Sequence, residues 1–369
     1  MKKLLLATAV SAALAAPATV LAQQARTPTL GQVLDASGLS VNGYIDAGYN
    51  WANRDLQATP QFRTFDNQNN SFDLHQLGLT VAKQPKEGFG GLVNFTVGSD
   101  AQVIHSLPEP ATRTSSMFDV TQGYLSYSQG SLTVIGGKFT TLAGTEVIAS
   151  TGNTNISRSI LFGAIPFTHT GVRASFAPSD TITIYGGLNN GWDQIQDTNR
   201  QKTLELGATF NPVKPLTMTL SGYIGNENTF NGAPIPNGER DLIDFVVNYI
   251  ASNSLSFGGE YLYVKQDVPG ASSVGYQGLA LYGNAMLNQQ WRASVRGEYF
   301  DDKDGAHFAT PTGVKYYEAT LTLAYLPTKD VELRTEVRAD KAKEAVYVDS
   351  DGSTSKTLMT FGLQGLYKF

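Results

Sequence analysis

The sequence predicts an all-β protein, a transmembrane antiparallel β-barrel of about sixteen strands whose third extracellular loop folds inward. Three observations predict this fold. Apolar and polar residues alternate with period two, short and long connections alternate between these segments, and charged residues are scarce. Only 16% of the 369 residues are charged, against about 25% in soluble domains. The chain also holds 37 Gly, 17 Tyr and 18 Phe, which disfavours two soluble domains, the usual expectation at this length.

The composition excludes several classes of function. The chain has no Cys, so disulfide frameworks, thiolate metal sites and Cys nucleophiles are ruled out. The net charge is −5 and no basic blocks occur, which argues against a nucleic-acid partner.

Residues 1–22 are predicted to be a secretory signal peptide. Lys2 and Lys3 form its positive start, residues 4–16 are apolar, and the small side chain of Ala22 suits cleavage after that residue. The alternative is a retained membrane anchor, but the apolar run is too short to cross a hydrocarbon layer of about 30 Å.

Two regions follow the signal peptide. Residues 23–38 are expected to form a short periplasmic N-terminal segment, in which Leu30, Val33 and Leu34 have the spacing of a short helix. Residues 39–369 are expected to form a single barrel domain.

The strands are predicted from alternation, because neighbours on one face of a helix lie three and four residues apart. Most segments have 8 to 13 residues, which suits a tilted membrane strand of about 9–11 better than a globular strand of about 5–6. The predicted strands lie at 39–52, 72–83, 88–99, 117–127, 132–139, 168–176, 181–190, 202–210, 216–225, 241–249, 255–265, 275–287, 291–301, 315–325, 331–341 and 357–369.

Short and long connections alternate between these segments, as the periplasmic turns and extracellular loops of bacterial barrels do. The longest, residues 140–167, is the third long connection. A soluble β-sandwich is the alternative fold, but a chain of this length would have to bury many apolar faces around one core, where soluble chains divide into domains. The last strand alternates up to Phe369, a terminal aromatic residue similar to the signal read by the barrel assembly machinery.

A cluster of motifs carries a family resemblance. The motifs are Gly136-Gly137-Lys138-Phe139, Gly144-Thr145-Glu146-Val147-Ile148, Ser157-Arg158-Ser159-Ile160-Leu161-Phe162, Ile165-Pro166, His169-Thr170-Gly171-Val172-Arg173-Ala174 and Asn190-Gly191-Trp192-Asp193. This cluster resembles the OmpL-like β-barrel porins, a family of Gram-negative outer-membrane proteins. The resemblance implies a single barrel, channel activity and location in the cell outer membrane of a Gram-negative bacterium.

The interior of such a barrel holds a water-filled channel unless something fills it. The 140–167 loop is the candidate filler, since an apolar stretch within it argues against full exposure. A surface loop is the alternative. The predicted pore-lining and constriction residues are Glu146, Arg158, His169, Arg173, Arg292, Arg296, Glu298, Arg334, Glu336 and Arg338.

The charge pattern suggests a hypothesis for the constriction. The arginines would form a wall that faces Glu146 across the opening, and the resulting transverse field would set ion selectivity. In the alternative, acidic and basic side chains only solvate a polar interior.

No catalytic or metal-binding motif emerges. The four His residues are widely separated, and Asp301-Asp302-Lys303-Asp304-Gly305 lacks the ligand spacing of a calcium loop. The chain has neither a nucleophile elbow nor a phosphate-binding loop. The sequence therefore predicts no enzyme, no cofactor and no metal site.

The first functional expectation is a porin, a passive diffusion channel for small hydrophilic solutes and ions. A channel selective for sugars or organic acids is the alternative, and a non-channel surface barrel in adhesion or envelope integrity is the second. The expected partners are outer-membrane lipid and lipopolysaccharide, the barrel assembly machinery and the solutes. A homotrimer is the candidate assembly.

Overall fold

The computed structural model describes residues 29–55, 62–66, 68–106, 116–230 and 233–369, and the predicted signal peptide lies outside them. The chain divides into two units, Met1–Ser37 and Gly38–Phe369.

In the first unit, helix α1 spans Leu30–Ser37. Its start is capped reciprocally: the Thr29 backbone amide donates to Gln32 Oε1 (2.9 Å), and the Gln32 amide donates to Thr29 Oγ1 (3.3 Å). Among the described residues, none of the helices is long and apolar enough to cross a membrane.

The second unit contains sixteen long strands within its described residues, labelled β1 to β16 in chain order. Each pairs antiparallel with the strands before and after it, and β1 pairs with β16, so the sheet closes into a barrel. The strands are β1 Ser40–Ala52, β2 Ser71–Lys83, β3 Gly88–Val97, β4 Phe118–Gln129, β5 Leu132–Thr140, β6 Thr168–Ser179, β7 Ile182–Asn189, β8 Thr203–Val213, β9 Leu216–Phe230, β10 Ala233–Ser252, β11 Leu255–Gln266, β12 Val274–Met286, β13 Trp291–Asp302, β14 Val314–Tyr325, β15 Val331–Ala342 and β16 Thr357–Lys368.

Smaller elements lie in the connections. They are the 3-10 turns Ser99–Gln102 and Ser150–Gly152, the short helix α2 Ile160–Gly163, and a hairpin of Tyr347–Val348 with Thr354–Ser355.

The predicted barrel is confirmed, and each predicted segment corresponds to one strand. The largest difference lies between β9 and β10, where the predicted connection 226–240 is mostly strand. Its Pro, Gly and Asn residues suggested a loop. The ladder nevertheless continues through a register shift between Pro234 and Gly238, and such an irregularity is where a strand tolerates proline.

The two faces of the strands differ in chemistry. On β13, Val295 is 49% exposed on the outer surface, while Ser294 and Arg296 beside it are 1% and 2% exposed inside the barrel. Large apolar side chains such as Phe72 and Phe89 protrude from the outer surface at 85% and 79% exposure. Apolar residues outside and polar residues inside are typical of a barrel surrounded by lipid.

The barrel closes where the last residue of the chain meets β1. Gly43 and Phe369 exchange two backbone hydrogen bonds of 2.9 Å each. The Phe369 ring covers Gly43, and a Cβ atom at position 43 would overlap that ring. An aromatic ring over a glycine of the neighbouring strand helps to fix the strand register.

We predict that Gly43→Val destabilises the barrel, because the added side chain displaces the Phe369 ring from the closure. Overpacking of this kind costs about 1–3 kcal/mol. The measurement is the free energy of unfolding in urea after refolding into lipid vesicles. The matched control is Gly297→Val, since no atom lies within 4 Å of a Cβ at position 297. Equal losses in both variants would contradict a special role for this contact.

Candidate pore constriction

The connection between β5 and β6, residues 141–167, is termed the long loop. Its residues Ser159 and Leu161 are fully buried. Several of its backbone amides donate to carboxylates that point inward from β10, β11, β13 and β15. A buried backbone amide needs a hydrogen-bond partner, and these strand side chains supply it.

Glu298 of β13 binds the start of helix α2. Its two carboxylate oxygens accept from the amides of Ile160 (2.8 Å) and Leu161 (2.7 Å). The first amides of a helix have no partner inside the helix, and they attract negative charge. Ser159 caps the same end by accepting from the Phe162 amide at 3.0 Å.

Glu336 of β15 makes a similar contact four residues earlier in the loop. Its oxygens accept from the amides of Ile156 (2.6 Å) and Ser157 (2.9 Å). The Thr322 hydroxyl of β14 also donates to it, at 2.6 Å. Both oxygens of Glu336 therefore have protein partners.

A third contact uses two carboxylates. The Gly144 amide donates to Asp244 Oδ1 of β10, and the Thr145 amide donates to Glu260 Oε2 of β11, each at 2.8 Å. Gly144 has a φ of +90°, a backbone conformation that favours glycine. This conformation presents two successive amides to two adjacent strands.

Arg296 of β13 joins the loop to the wall through its guanidinium group. It donates to Glu146 Oε1 at 2.7 Å, to the Ser157 carbonyl at 2.8 Å and to Glu318 Oε2 at 3.0 Å. The hypothesis from the sequence placed Glu146 across an opening from the arginines. In the structure Glu146 is bonded directly to Arg296.

The other predicted arginines of the wall are also paired. Arg338 binds Asp340 at 2.7 Å and donates to a long-loop carbonyl. Arg334 binds Glu332 at 2.6 Å, and Arg292 pairs with the same carboxylate. Guanidinium groups held this way keep the loop on the wall and leave little uncompensated charge.

Arg158 acts inside the loop. It donates to the carbonyls of Val147 (3.0 Å), Ile148 (2.9 Å) and Ile156 (2.9 Å), which ties two distant parts of the loop together. Its guanidinium group lies 5.7 Å from the centre of the Phe162 ring.

His169 and Arg173 of β6 form a separate group near the end of the loop. Arg173 pairs with Glu205 of β8 and lies 4.3 Å from the centre of the Phe139 ring. His169 stacks on Tyr223 of β9 with ring centres 4.6 Å apart. The predicted site residues thus fall into one group around Arg296 and a second on β6.

The opposite side of the loop borders a cavity of about 260 Å³. Glu146 is the one charged residue of its described lining, and that carboxylate is bonded to Arg296. The polar wall residues are Tyr44, Asn94, Thr96, Thr121 and Gln122. Asn94, Thr96, Thr121 and Gln122 were not predicted from the sequence, although inward positions that are polar and uncharged were a usable signal.

An aromatic cluster fills part of the interior, towards the end of the barrel at which the long connections lie. His307 lies 4.8 Å from Tyr276, 5.4 Å from Phe300 and 4.4 Å from Phe308 between ring centres. Phe62, from the first long connection, meets Phe308 at 4.7 Å. Two long connections therefore pack inside the barrel beside the long loop.

Fold and interior together define a class of protein. A closed barrel of sixteen antiparallel strands, apolar outside and polar inside, is the architecture of an outer-membrane porin. The chain belongs to the family Putative beta-barrel porin-2, OmpL-like, whose sequence model matches residues 38–369. The resemblance stated from the motifs is thereby confirmed, and the protein is an outer-membrane porin of a Gram-negative bacterium.

Solved structures share the fold at low sequence identity. The outer membrane channel DcaP of Acinetobacter baumannii is 14% identical with a TM-score of 0.61, covering 90% of this chain and 97% of that one. OmpT of Vibrio cholerae, in a trimer form, is 12% identical with a TM-score of 0.61, covering 90% and 99%. An anion-selective porin from Comamonas acidovorans is 11% identical with a TM-score of 0.60, also covering 90% and 99%. No curated protein matches the sequence.

We predict that Glu336→Gln loosens the long loop, because a neutral amide cannot accept three hydrogen bonds as strongly as a carboxylate. Losing such charge-assisted bonds costs about 1–3 kcal/mol. Hydrogen exchange at the Ile156 and Ser157 amides should accelerate. The control is Glu344→Gln, whose side chain is 64% exposed. Unchanged exchange in Glu336→Gln would contradict the assigned contact.

We predict that acid loosens the connection 303–313. Burial, with a smaller contribution from nearby Arg240, lowers the pKa of His307 to about 3. The unfolded form takes up a proton below about pH 6.5, so the contribution of His307 to stability is complete above that pH and is lost progressively towards pH 3. Hydrogen exchange in 303–313, taken relative to the intrinsic rate of an unprotected amide at each pH, should accelerate between pH 7 and 4, and less so in His307→Phe. Identical acceleration in both proteins would exclude His307 as the cause.

Proposed function

We propose that this porin is a passive diffusion channel for small hydrophilic solutes and ions, narrowed by the long loop. The observation that carries the proposal is the asymmetric position of that loop. Four inward carboxylates hold it to the wall, and its other side borders a cavity in whose described lining Glu146 is the one charged residue. The proposed constriction residues are Glu146, Arg158, His169, Arg173, Arg292, Arg296, Glu298, Arg334, Glu336 and Arg338.

These constriction residues act mainly by positioning the loop. Arg296, Arg334 and Arg338 each have a carboxylate partner, so the net charge they present to a passing ion is small. The wall of the cavity offers hydroxyl and amide groups instead. The channel is therefore expected to discriminate weakly between cations and anions.

A second candidate is a channel selective for uncharged solutes such as sugars. The observation that favours it is the two-sided lining of the cavity. Gln122 and Thr121 supply hydrogen-bonding groups on the wall, while Leu142 and Phe167 supply an apolar face on the loop. Pockets that combine apolar surface with a few polar groups orient small ligands.

The proposal also covers export, assembly and the membrane environment of the porin. Export removes residues 1–22, Phe369 serves as the assembly signal for the barrel assembly machinery, and lipid with lipopolysaccharide surrounds the barrel. The porin carries no catalytic activity. A homotrimer is the proposed assembly, supported by the trimer form of the similar Vibrio cholerae protein.

Single-channel recording in planar bilayers tests the proposed channel. The wild type should conduct in steps, with a reversal potential near zero across a KCl gradient. Gln122→Trp should lower the conductance several-fold, because the larger ring fills the cavity beside the loop. The control is Leu281→Trp on the lipid-facing surface, where the native side chain is 58% exposed.

Other outcomes separate the candidates. A sugar that blocks the current at low concentration would favour the selective channel. Equal conductance in Gln122→Trp and wild type would place the passage elsewhere, and a wild type that never conducts would overturn the channel proposal.

A further inference from the structure

The three contacts that hold the long loop differ in one respect. Glu298 and Glu336 each use both carboxylate oxygens to accept hydrogen bonds from the loop. The amides of residues 144 and 145, in contrast, donate to two different carboxylates. Asp244 and Glu260 each give one oxygen to the loop, and their other oxygens, Oδ2 and Oε1, are buried without a protein partner.

The same two carboxylates lack a basic neighbour. Among the described residues, neither Asp244 nor Glu260 forms an ion pair, whereas Glu146, Glu332 and Asp340 are all paired with arginine. Glu298 and Glu336 form no ion pair either, but their oxygens all have hydrogen-bond partners, which those of Asp244 and Glu260 do not. Both side chains are almost fully buried, at 1% and 2% exposure. Burying two adjacent negative charges without compensation is costly, so the pair must be neutralised by a bound cation or by a proton.

The strand register makes the two acids neighbours on the inner face. In the β10–β11 ladder Asp244 pairs with Leu262 and Glu260 pairs with Val246, so the two acids occupy diagonal positions on the inner face. Diagonal positions lie about 7–8 Å apart, within reach of side chains of this length. The carboxylates also accept from the amides of successive residues, which holds them side by side.

Two hydroxyl groups complete the surroundings. Thr145 Oγ1 and Tyr282 OH are buried without a protein hydrogen-bond partner. Both residues line a cavity of about 250 Å³, together with Asn284 of β12. The cavity gives room for water molecules beside these hydroxyl groups, and Tyr282 lies diagonal to Glu260 in the β11–β12 ladder.

We propose that Asp244 and Glu260 bind one divalent cation of the hard, oxygen-preferring class, with Ca²⁺ as the ion that fits best. Ca²⁺ accepts carboxylate, hydroxyl and water oxygens in irregular geometry, whereas Mg²⁺ demands a near-ideal octahedron. The two charges of the ion match the two unpaired carboxylates. The cation ties β10 and β11 to the long loop, and it does so whatever solute the channel carries.

The site has few protein ligands of high charge. Among the described residues, no group of three or more His, Cys, Asp or Glu side chains is placed to hold a metal ion. Two carboxylates, the hydroxyls and water therefore make up the ligand set. Fewer charged ligands mean weaker binding, so the expected affinity is moderate.

Terbium luminescence tests this proposal on the full-length porin refolded in detergent. Tb³⁺ replaces Ca²⁺ at oxygen sites and emits after energy transfer from a nearby tyrosine, here Tyr282. The wild type should show saturable emission that Ca²⁺ displaces. Asp244→Asn and Glu260→Gln should each weaken binding by about tenfold or more, because each removes a charged ligand. Asp241→Asn, an acid-to-amide change on the outer face of β10, should bind as the wild type does.

Thermal unfolding gives a second readout. Ca²⁺ should raise the melting temperature of the wild type relative to EDTA, because a ligand that binds only the folded state stabilises it. The double variant Asp244→Asn with Glu260→Gln should fold but show no response to Ca²⁺. Saturable binding that survives in the double variant would place the ion elsewhere and overturn the proposal.

Absence of both Tb³⁺ emission and a Ca²⁺-dependent shift in the wild type would also overturn it. The two carboxylates would then be compensated by a shared proton. Channel conductance is measured separately, so failure of the cation site leaves the transport proposal distinguishable.

Discussion

The need to satisfy the buried backbone of the long loop governs the interior of this barrel. A loop packed against a barrel wall loses water from its amides, and each amide then requires an acceptor. Inward carboxylates on β10, β11, β13 and β15 supply the acceptors. Arg296, Arg334 and Arg338 stand on the same wall, where they pair with the further acids Glu318, Glu332 and Asp340. The charged wall is thus a consequence of holding the loop.

The need to hold the loop explains why arginines are concentrated on one side of the interior. The arginines that hold the loop lie on β13 and β15, and they also donate to its carbonyl groups. The wall bordering the cavity, on β1, β3 and β4, carries hydroxyl and amide side chains such as Thr121 and Gln122. Because the arginines are paired with carboxylates, we expect the shape and polarity of the wall that borders the cavity to set the selectivity of the proposed channel.

Period-two alternation was sufficient to predict the strands, since each lies half in lipid and half in the interior. Strand β13, predicted at 291–301, spans Trp291–Asp302. Alternation also placed Arg296 on an inward face, but it carries no information about partners. The bond from Arg296 to Glu146 joins residues 150 positions apart, and it depends on the path of a loop that has no periodicity. The β9–β10 extension was missed because local proline and glycine signals outweighed a ladder that only the paired strand reveals.

The contact at Gly144 and Thr145 differs from the contacts of Glu298 and Glu336 because it joins the loop to two strands, β10 and β11. On β13 and β15, the two oxygens of a single carboxylate accept hydrogen bonds from two successive loop amides. Where the loop reaches β10 and β11, its amides meet the diagonal pair Asp244 and Glu260 instead. Two carboxylates then bind two amides, and since neither forms an ion pair among the described residues, their charge must be neutralised locally. An ion that bridges both acids fixes the loop where it enters the charged wall, and so fixes the width of the passage that the loop leaves open.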